Sequence, residues 1–247
     1  MAGNQYPVDA DLFDKNKPEL ENIADSIMEN IKDIPAEELS HIMGISRKLA
    51  ITAVKYAYDF PNKTTGYTTL EGFTGEAYRS LDVKSLNNTA LQNINPQLRI
   101  ISSAYGLLKP SDIIKPYRLE YNKPLGPSNN TPIKIFKPKV TVELVKYLKD
   151  QNIKEIIDLL PADADSCVDW KIVRAFAKVH KICFYTMNND GTTKTPIASK
   201  LKSMRGLMAR NILENNISSF EELTGFESDN YVYSAADSKP GLPVFIC

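Results

Sequence analysis

The chain has 247 residues, and its 30 Lys and Arg balance 30 Asp and Glu to a formal net charge of zero. At 43% hydrophobic and 24% charged residues, with 11 Gly and 15 Pro, its proportions are globular. They exclude collagen-like, low-complexity and wholly disordered chains and allow one large domain or two small ones.

The cysteines Cys167, Cys183 and Cys247 have no CxxC spacing, which argues against a disulfide framework and for a reducing compartment. Only His41 and His180 are available as imidazole ligands, so no metal site and no cofactor are expected. Cys167 and His180 would serve as a thiolate and its base, but a semi-buried cysteine and an unrelated histidine explain the same residues. No Walker A loop, GxGxxG, GxSxG or HExxH occurs, and the reading leans away from an enzyme. No apolar run nears the ~20 residues that cross a bilayer. Residues 1–17 lack the basic stretch and apolar core of a signal peptide, and are expected to form a poorly ordered tail before a single domain over 18–247. A cytoplasmic location follows from these expectations.

In chain order, Leu20, Ile23, Ala24, Ile27, Met28 and Ile31 recur at helical spacing, with acids on the opposite face. Pro35 opens a second helix to about Met43, where Gly44 fits the C-terminal stop. Ser46 suits the N-cap of a third helix through Tyr58, closed by Pro61. A buried strand is predicted over 98–102, a helix over 140–149 and another buried strand over 153–160. Segments 181–187 and 194–198 flank Asn188, Asn189, Asp190 and Gly191, a hairpin signal. A helix over 201–215 carries an apolar stripe, and a short capped helix follows over 219–223. Strands over 231–234 and 243–246 flank a turn at Lys239, Pro240 and Gly241. The fold class is α+β, a mixed sheet with surrounding helices and an N-terminal helical section.

The zero net charge averages unlike parts. Residues 1–40 hold ten acids against three bases, a net of −7, and the remainder is +7. Such asymmetry marks either an anionic partner or one solvated acidic helix beside a mildly basic body. The acidic helix would also suit a protein-interaction module. Modest basic stretches lie at 99–118 and at 192–213, the latter without an acid.

Two constellations stand out. Residues 36–58 resemble a helix-hairpin-helix motif, with Leu39, Ile42, Gly44, Ile45 and Ala50 at its spacing and Ser46 at its second glycine. Gly44 permits the tight turn, and Ile45 packs into the pair. The N–H groups from Ser46 onward then face out at a helix N-terminus beside Arg47 and Lys48, ready for a phosphate. Contacts of that kind hold the backbone without reading bases. An ordinary αα-hairpin with a glycine cap fits the same residues. The second constellation is a Gly-, Pro- and Tyr-rich stretch ending in Arg118 and Glu120. It reads either as a structural ion pair or as an anion pocket formed by Arg99, Tyr105, Tyr117 and Arg118 with Lys200 and Arg205.

The run from Leu98 to Glu120, through Ser102, Tyr105, Gly106, Pro110, Asp112, Pro116, Tyr117 and Arg118, resembles the signature of the YaaA peroxide-stress protein family. Phe73, Gly75, Tyr78 and Leu81 match its earlier motif. Arg205, Gly206, Met208, Gly225, Phe226 and Tyr231 match its C-terminal region, so the likeness covers about 18–246. The resemblance implies protection from hydrogen peroxide by keeping free iron low. It also implies a mixed fold with a helix-hairpin-helix, and affinity for duplex or branched DNA. Weak, salt-sensitive, sequence-tolerant DNA binding is therefore expected through Gly44, Ile45, Ser46, Arg47 and Lys48. The alternative is an enzyme or binder for a small phosphorylated or nucleotide-like anion at the Arg/Tyr pocket. This chain departs from the family pattern where an opening apolar strand and a Ser-Pro-Ala-Lys motif usually stand. It departs again at Phe136, at Asp158 to Pro161, and at Ser203 and Met204. Without the first strand, a sheet edge would need cover.

Overall fold

The structure is a computed structural model that describes residues 16–62 and 66–247. The first fifteen residues of the expected tail lie outside the described chain. Among the described residues the elements are helices α1 (Glu21–Lys32), α2 (Ala36–Met43) and α3 (Arg47–Asp59), strand β1 (Tyr67–Thr68), and helices α4 (Thr69–Gly72), α5 (Glu76–Leu81) and α6 (Asn88–Gln97). Strands β2 (Ile100–Ser102), β3 (Gly106–Leu108) and β4 (Ile113–Ile114) follow, then helix α7 (Pro132–Asp150) and strand β5 (Glu155–Asp158). Helices α8 (Ala162–Asp165) and α9 (Trp170–Val173) lead to strands β6 (Lys178–Lys181), β7 (Cys183–Met187) and β8 (Thr193–Lys194). Helices α10 (Ala198–Glu214) and α11 (Phe220–Leu223) precede the closing strands β9 (Val232–Lys239) and β10 (Leu242–Ile246). The fold is α+β.

The chain forms two compact units, each assembled from separated segments. The first comprises Met1–Thr74, Leu98–Leu144 and Leu160–Trp170. Helices α1 and α2 pack on α3, burying Ala24, Ile27, Ile31, Leu39, Ala50 and Ala57 completely. The alanines on the inner face of α3 let its neighbours approach closely, and the acids of α1 remain on its solvent side, as the period of 3.6 dictates. The antiparallel pairs β1–β4 and β2–β3 support an aromatic core. Phe60, Tyr105 and Tyr117 succeed one another there at centroid distances of 6.2 and 5.9 Å. Asn16 runs beside this region: its carbonyl accepts the Ile113 N–H at 2.9 Å. That contact covers one edge of β4, which pairs with β1 on the other.

The second unit comprises Gly75–Gln97, Val145–Leu159 and Lys171–Cys247. Its main sheet has the order β8-β7-β10-β9 and is mixed: β7 and β10 are parallel, whereas the other two pairs are antiparallel. A separate parallel pair joins β5 to β6. Phe184, Met204, Met208, Tyr231 and Phe245 form the centre of the core. Helix α10 crosses α5 at Gly206, where an added Cβ would lie 2.1 Å from the Ala77 carbonyl oxygen. The family-like Arg205–Gly206 step therefore has a packing reason: no side chain fits between the two helices. Arg210, one turn further, donates to the carbonyls of Leu81, Asp82 and Ser85 and to the Glu214 carboxylate, which fixes the turn after α5.

Some expected boundaries move. Helix α7 begins eight residues before the expected Val140 and carries Pro138 in its interior. The expected strand over 194–198 contributes only Lys194 to a ladder, because Ala198 already opens α10. Helices α5 and α6 and strand β6 have no counterpart among the sequence expectations. In α6 only Ala90 and Ile94 are buried, which is too thin an apolar stripe to register as a period.

Candidate functional site

The turn between α2 and α3 is built by capping. Gly44 takes the left-handed conformation (φ 66°, ψ 40°). The Ile45 N–H reaches back to the Ser40 carbonyl at 3.1 Å and the Gly44 N–H to that of His41 at 3.3 Å. Together these make a Schellman closure, which only glycine enters without strain. The Ser40 hydroxyl donates to the Ile45 carbonyl at 2.6 Å, locking the next peptide. Ser46 is the N-cap of α3, its side chain accepting the Leu49 N–H at 3.4 Å.

Capping Leu49 leaves the first two amides of α3, those of Arg47 and Lys48, without an acceptor among the described residues. A helix start with two open N–H groups and a partial positive charge attracts anions. Both side chains are exposed. Lys48 has no ion pair among the described residues, whereas Arg47 lies 3.4 Å from Glu37 of α2. With side chains 74% and 70% exposed, that pair is weak and open to exchange with a stronger anion. Gly44, Ile45, Ser46, Arg47 and Lys48 thus sit together at one tip of the first unit.

The other constellation folds inward. Tyr105 and Tyr117 are 0% and 1% exposed. The Tyr105 hydroxyl accepts the Lys115 N–H at 3.0 Å, and that of Tyr117 pairs with the Ser102 hydroxyl at 2.8 Å. Burial pushes the Tyr117 phenol up to about 12 and the Tyr105 phenol higher still, so neither ionises near neutrality. Ser102 Oγ also accepts the N–H groups of Ala104 and Tyr105 at 3.2 and 3.0 Å. Ser103 donates to the Leu119 carbonyl at 2.9 Å. Asp112 is 4% exposed. Its carboxylate accepts the Lys109 N–H at 2.8 Å, and its carbonyl accepts that of Thr69 at 2.8 Å. Ser102, Ser103, Tyr105, Asp112 and Tyr117 thus form a hydrogen-bonded polar core that holds β2, β3 and β4 in place.

Arg118 lies 3.6 Å from Glu120, the ion pair that the sequence allowed. Arg99 donates to the Leu98 carbonyl at 2.7 Å. Lys200 and Arg205 belong to α10 of the second unit, where Lys200 pairs with Asp229 and lies 5.7 Å from the Tyr231 ring centroid. Cys167, in the first unit, is fully buried, and burial pushes its thiol up to about 12. Cys183 is also pushed up by burial. These two thiols are poor thiolate nucleophiles for peroxide at neutral pH. His180, in the second unit, is 2% exposed and stacks on Phe220 at 4.3 Å. Among the described residues no group of three His, Cys, Asp or Glu side chains is placed to hold a metal ion, and no helix is long and apolar enough to cross a membrane.

The first unit also holds a cleft of about 230 Å³ between the end of α3 and the loop after β4. Lys55, Tyr56, Asp59, Phe60, Lys115 and Pro116 line it. In the sequence Lys115 is one cation of the basic stretch over 99–118, and Lys55 carries no signal of its own. Lys55 follows Lys48 by seven residues, so a helical projection places both on one face. Lys115 comes beside them only through tertiary folding.

A family model described as peroxide stress protein YaaA matches residues 4–237. The chain belongs to this family. Among its relatives, a UPF0246 protein of Shewanella woodyi is 32% identical over 232 residues, covering 92% of this chain and 89% of the relative. A UPF0246 protein of Polynucleobacter necessarius is 31% identical over 232 residues, covering 92% and 88%. Membership places the chain with peroxide stress proteins, and the family-like glycines Gly106 and Gly206 are both explained by packing. Gly106 has φ +73°, and a Cβ there would meet Leu20 and Phe136 at 2.9 Å.

Proposed function

We propose that this YaaA-family chain acts in the peroxide stress response by binding DNA through the α2–α3 hairpin, without reading its sequence. One observation carries the reading: the Gly44 closure and the Ser46 cap leave the Arg47 and Lys48 amides open at an exposed, cationic helix start. Amides at a helix start, with lysine beside them, hold phosphates, and phosphate contacts carry no sequence information, so duplexes of any sequence are bound alike. The interface is small and its charge is partly offset by Glu37 and Glu38, so affinity is weak and falls with salt. Protection then consists of occupying DNA, and any effect on iron is indirect.

The small-anion reading at Arg99, Tyr105, Tyr117 and Arg118 has less support, because the two tyrosines are buried with their hydroxyls engaged. The discriminating experiment titrates the full chain against labelled duplexes of unrelated sequence at several salt concentrations. Equal affinities and a steep salt dependence are expected. Binding that depends on sequence, or that ignores salt, would reject the proposal.

A further inference from the structure

The cleft at the far end of α3 extends this interface. Its two cations are held differently. Lys55 is exposed and has no acid partner among the described residues. Lys115 is fixed: its backbone N–H donates to the Tyr105 hydroxyl, and its Nζ donates to the Phe60 carbonyl at 3.0 Å. The same Nζ lies 4.7 Å from the Phe60 ring centroid. A helix C-terminal carbonyl and an aromatic face together hold the ammonium in place. One of its three N–H donors goes to Phe60, which leaves donors for a ligand.

We propose that this cleft seats a second backbone phosphate of the nucleic-acid strand that the hairpin holds at Lys48, an inference that rests on the DNA-binding reading above. Lys48 and Lys55 share a face of α3 and are separated by about 10 Å of helix rise. Neighbouring phosphates of one strand lie further apart in space than their rise of about 3.4 Å along the duplex axis, so a strand held at Lys48 and running along α3 brings one of its next two phosphates to the cleft. Phe60 and Pro116 give it apolar walls that suit a sugar. Asp59 lowers the local positive potential, so a free inorganic anion gains little there. A strand already held at Lys48 binds the cleft intramolecularly, with an effective concentration that offsets the acid.

The test measures binding of the full chain to a labelled 20-base-pair duplex between 50 and 200 mM salt, for wild type, Lys48→Ala, Lys55→Ala and Lys115→Gln. Each lost phosphate contact is expected to reduce the log–log salt slope by about 0.9 and to weaken binding about eightfold at 0.1 M salt. Lys55 is exposed, so Lys55→Ala carries the test should Lys115→Gln perturb folding. Wild-type affinity and slope in Lys55→Ala overturn the proposal; if Lys48→Ala still weakens binding, the hairpin reading survives that result. Absence of DNA binding by the wild type overturns both. A thermal shift with deoxyadenosine monophosphate distinguishes the remaining source of phosphate. Stabilisation of the wild type that is lost in Lys55→Ala, with duplex binding unchanged, makes the cleft a free-nucleotide site and overturns the strand contact.

Discussion

Replacing Gly206 by alanine sets two effects against each other. Alanine in a helix interior is favoured over glycine by about 1 kcal/mol, so an isolated α10 would become more stable. In the folded second unit the new Cβ would lie 2.1 Å from the Ala77 carbonyl oxygen and 2.9 Å from Ser80 Cβ. The nearest atom is backbone, so no flexible side chain can yield, and α5 must retreat by roughly 1 Å to restore ordinary contact. Overpacking of this kind costs about 3 kcal/mol at the upper end of the usual range. The retreat also stretches the Ser80–Ser203 hydroxyl pair, now at 2.9 Å, which contributes about 1 kcal/mol. The clash exceeds the propensity gain, and a net loss of about 3 kcal/mol is expected. For a chain of this size that lowers the thermal midpoint by roughly 6–12 °C. Gly225→Ala is the control, since its Cβ would meet only the Glu222 carbonyl oxygen at an ordinary 3.5 Å. Urea unfolding of both variants, followed by circular dichroism, decides the matter. A Gly206→Ala protein as stable as wild type would refute the packing explanation.

Three further outcomes follow from the same geometry. Ser102→Ala removes an oxygen that serves the Tyr117 hydroxyl and the amides of Ala104 and Tyr105. A loss of about 2–3 kcal/mol is expected from leaving these buried groups short of a partner, and an unchanged urea midpoint would contradict it. Burial holds His180 below the usual histidine value, with Glu155 opposing the shift from 3.7 Å. The unfolded chain therefore binds the proton more readily, so stability is full above about pH 6.5 and falls as the pH drops through the lowered folded value. His180→Gln should flatten that limb in a pH series of thermal midpoints; an equally steep limb would show that another group is responsible. The Glu155 carboxylate, held low chiefly by the Phe220 N–H, affects only a more acidic window. Glu37→Gln removes the acid beside Arg47 and should tighten DNA binding at low salt, the gain disappearing at high salt. Weaker binding by this variant would contradict the assigned role of Arg47.

The first three helices are legible in the sequence because each carries its own signals. Apolar spacing marks α1, Pro35 and Gly44 bracket α2, and Ser46 caps α3. The mixed sheet is legible only as separate strands, since the parallel pairing of β7 with β10 depends on a long connection that no local pattern encodes. Pro138 reads as a helix breaker, yet α7 runs through it, because packing of the helix outweighs one lost hydrogen bond. The turn between α2 and α3 was readable because the Gly44 stop and the Ser46 cap lie in consecutive residues. Tyr105 and Tyr117 were not: a dense Gly, Pro, Tyr and Arg loop has the same sequence whether its rings point into solvent or into a core. Lys115 was readable only as one cation of the basic stretch over 99–118, because its neighbours Lys55 and Phe60 lie more than fifty positions away.

The central claim concerns the start of α3, and the salt dependence of duplex binding tests it most directly. Wild type, Gly44→Ala and Lys48→Ala are compared after circular dichroism has established that all three are folded. An L residue at the left-handed Gly44 position carries about 1–2 kcal/mol of strain, though its Cβ meets nothing within 4 Å. The turn therefore distorts without loss of the fold. The expected result is a wild-type slope reduced by about 0.9 in Lys48→Ala, with weaker binding in Gly44→Ala as the open amides move out of register. Wild-type affinity and slope in both folded variants would contradict the assignment of the hairpin as the DNA contact.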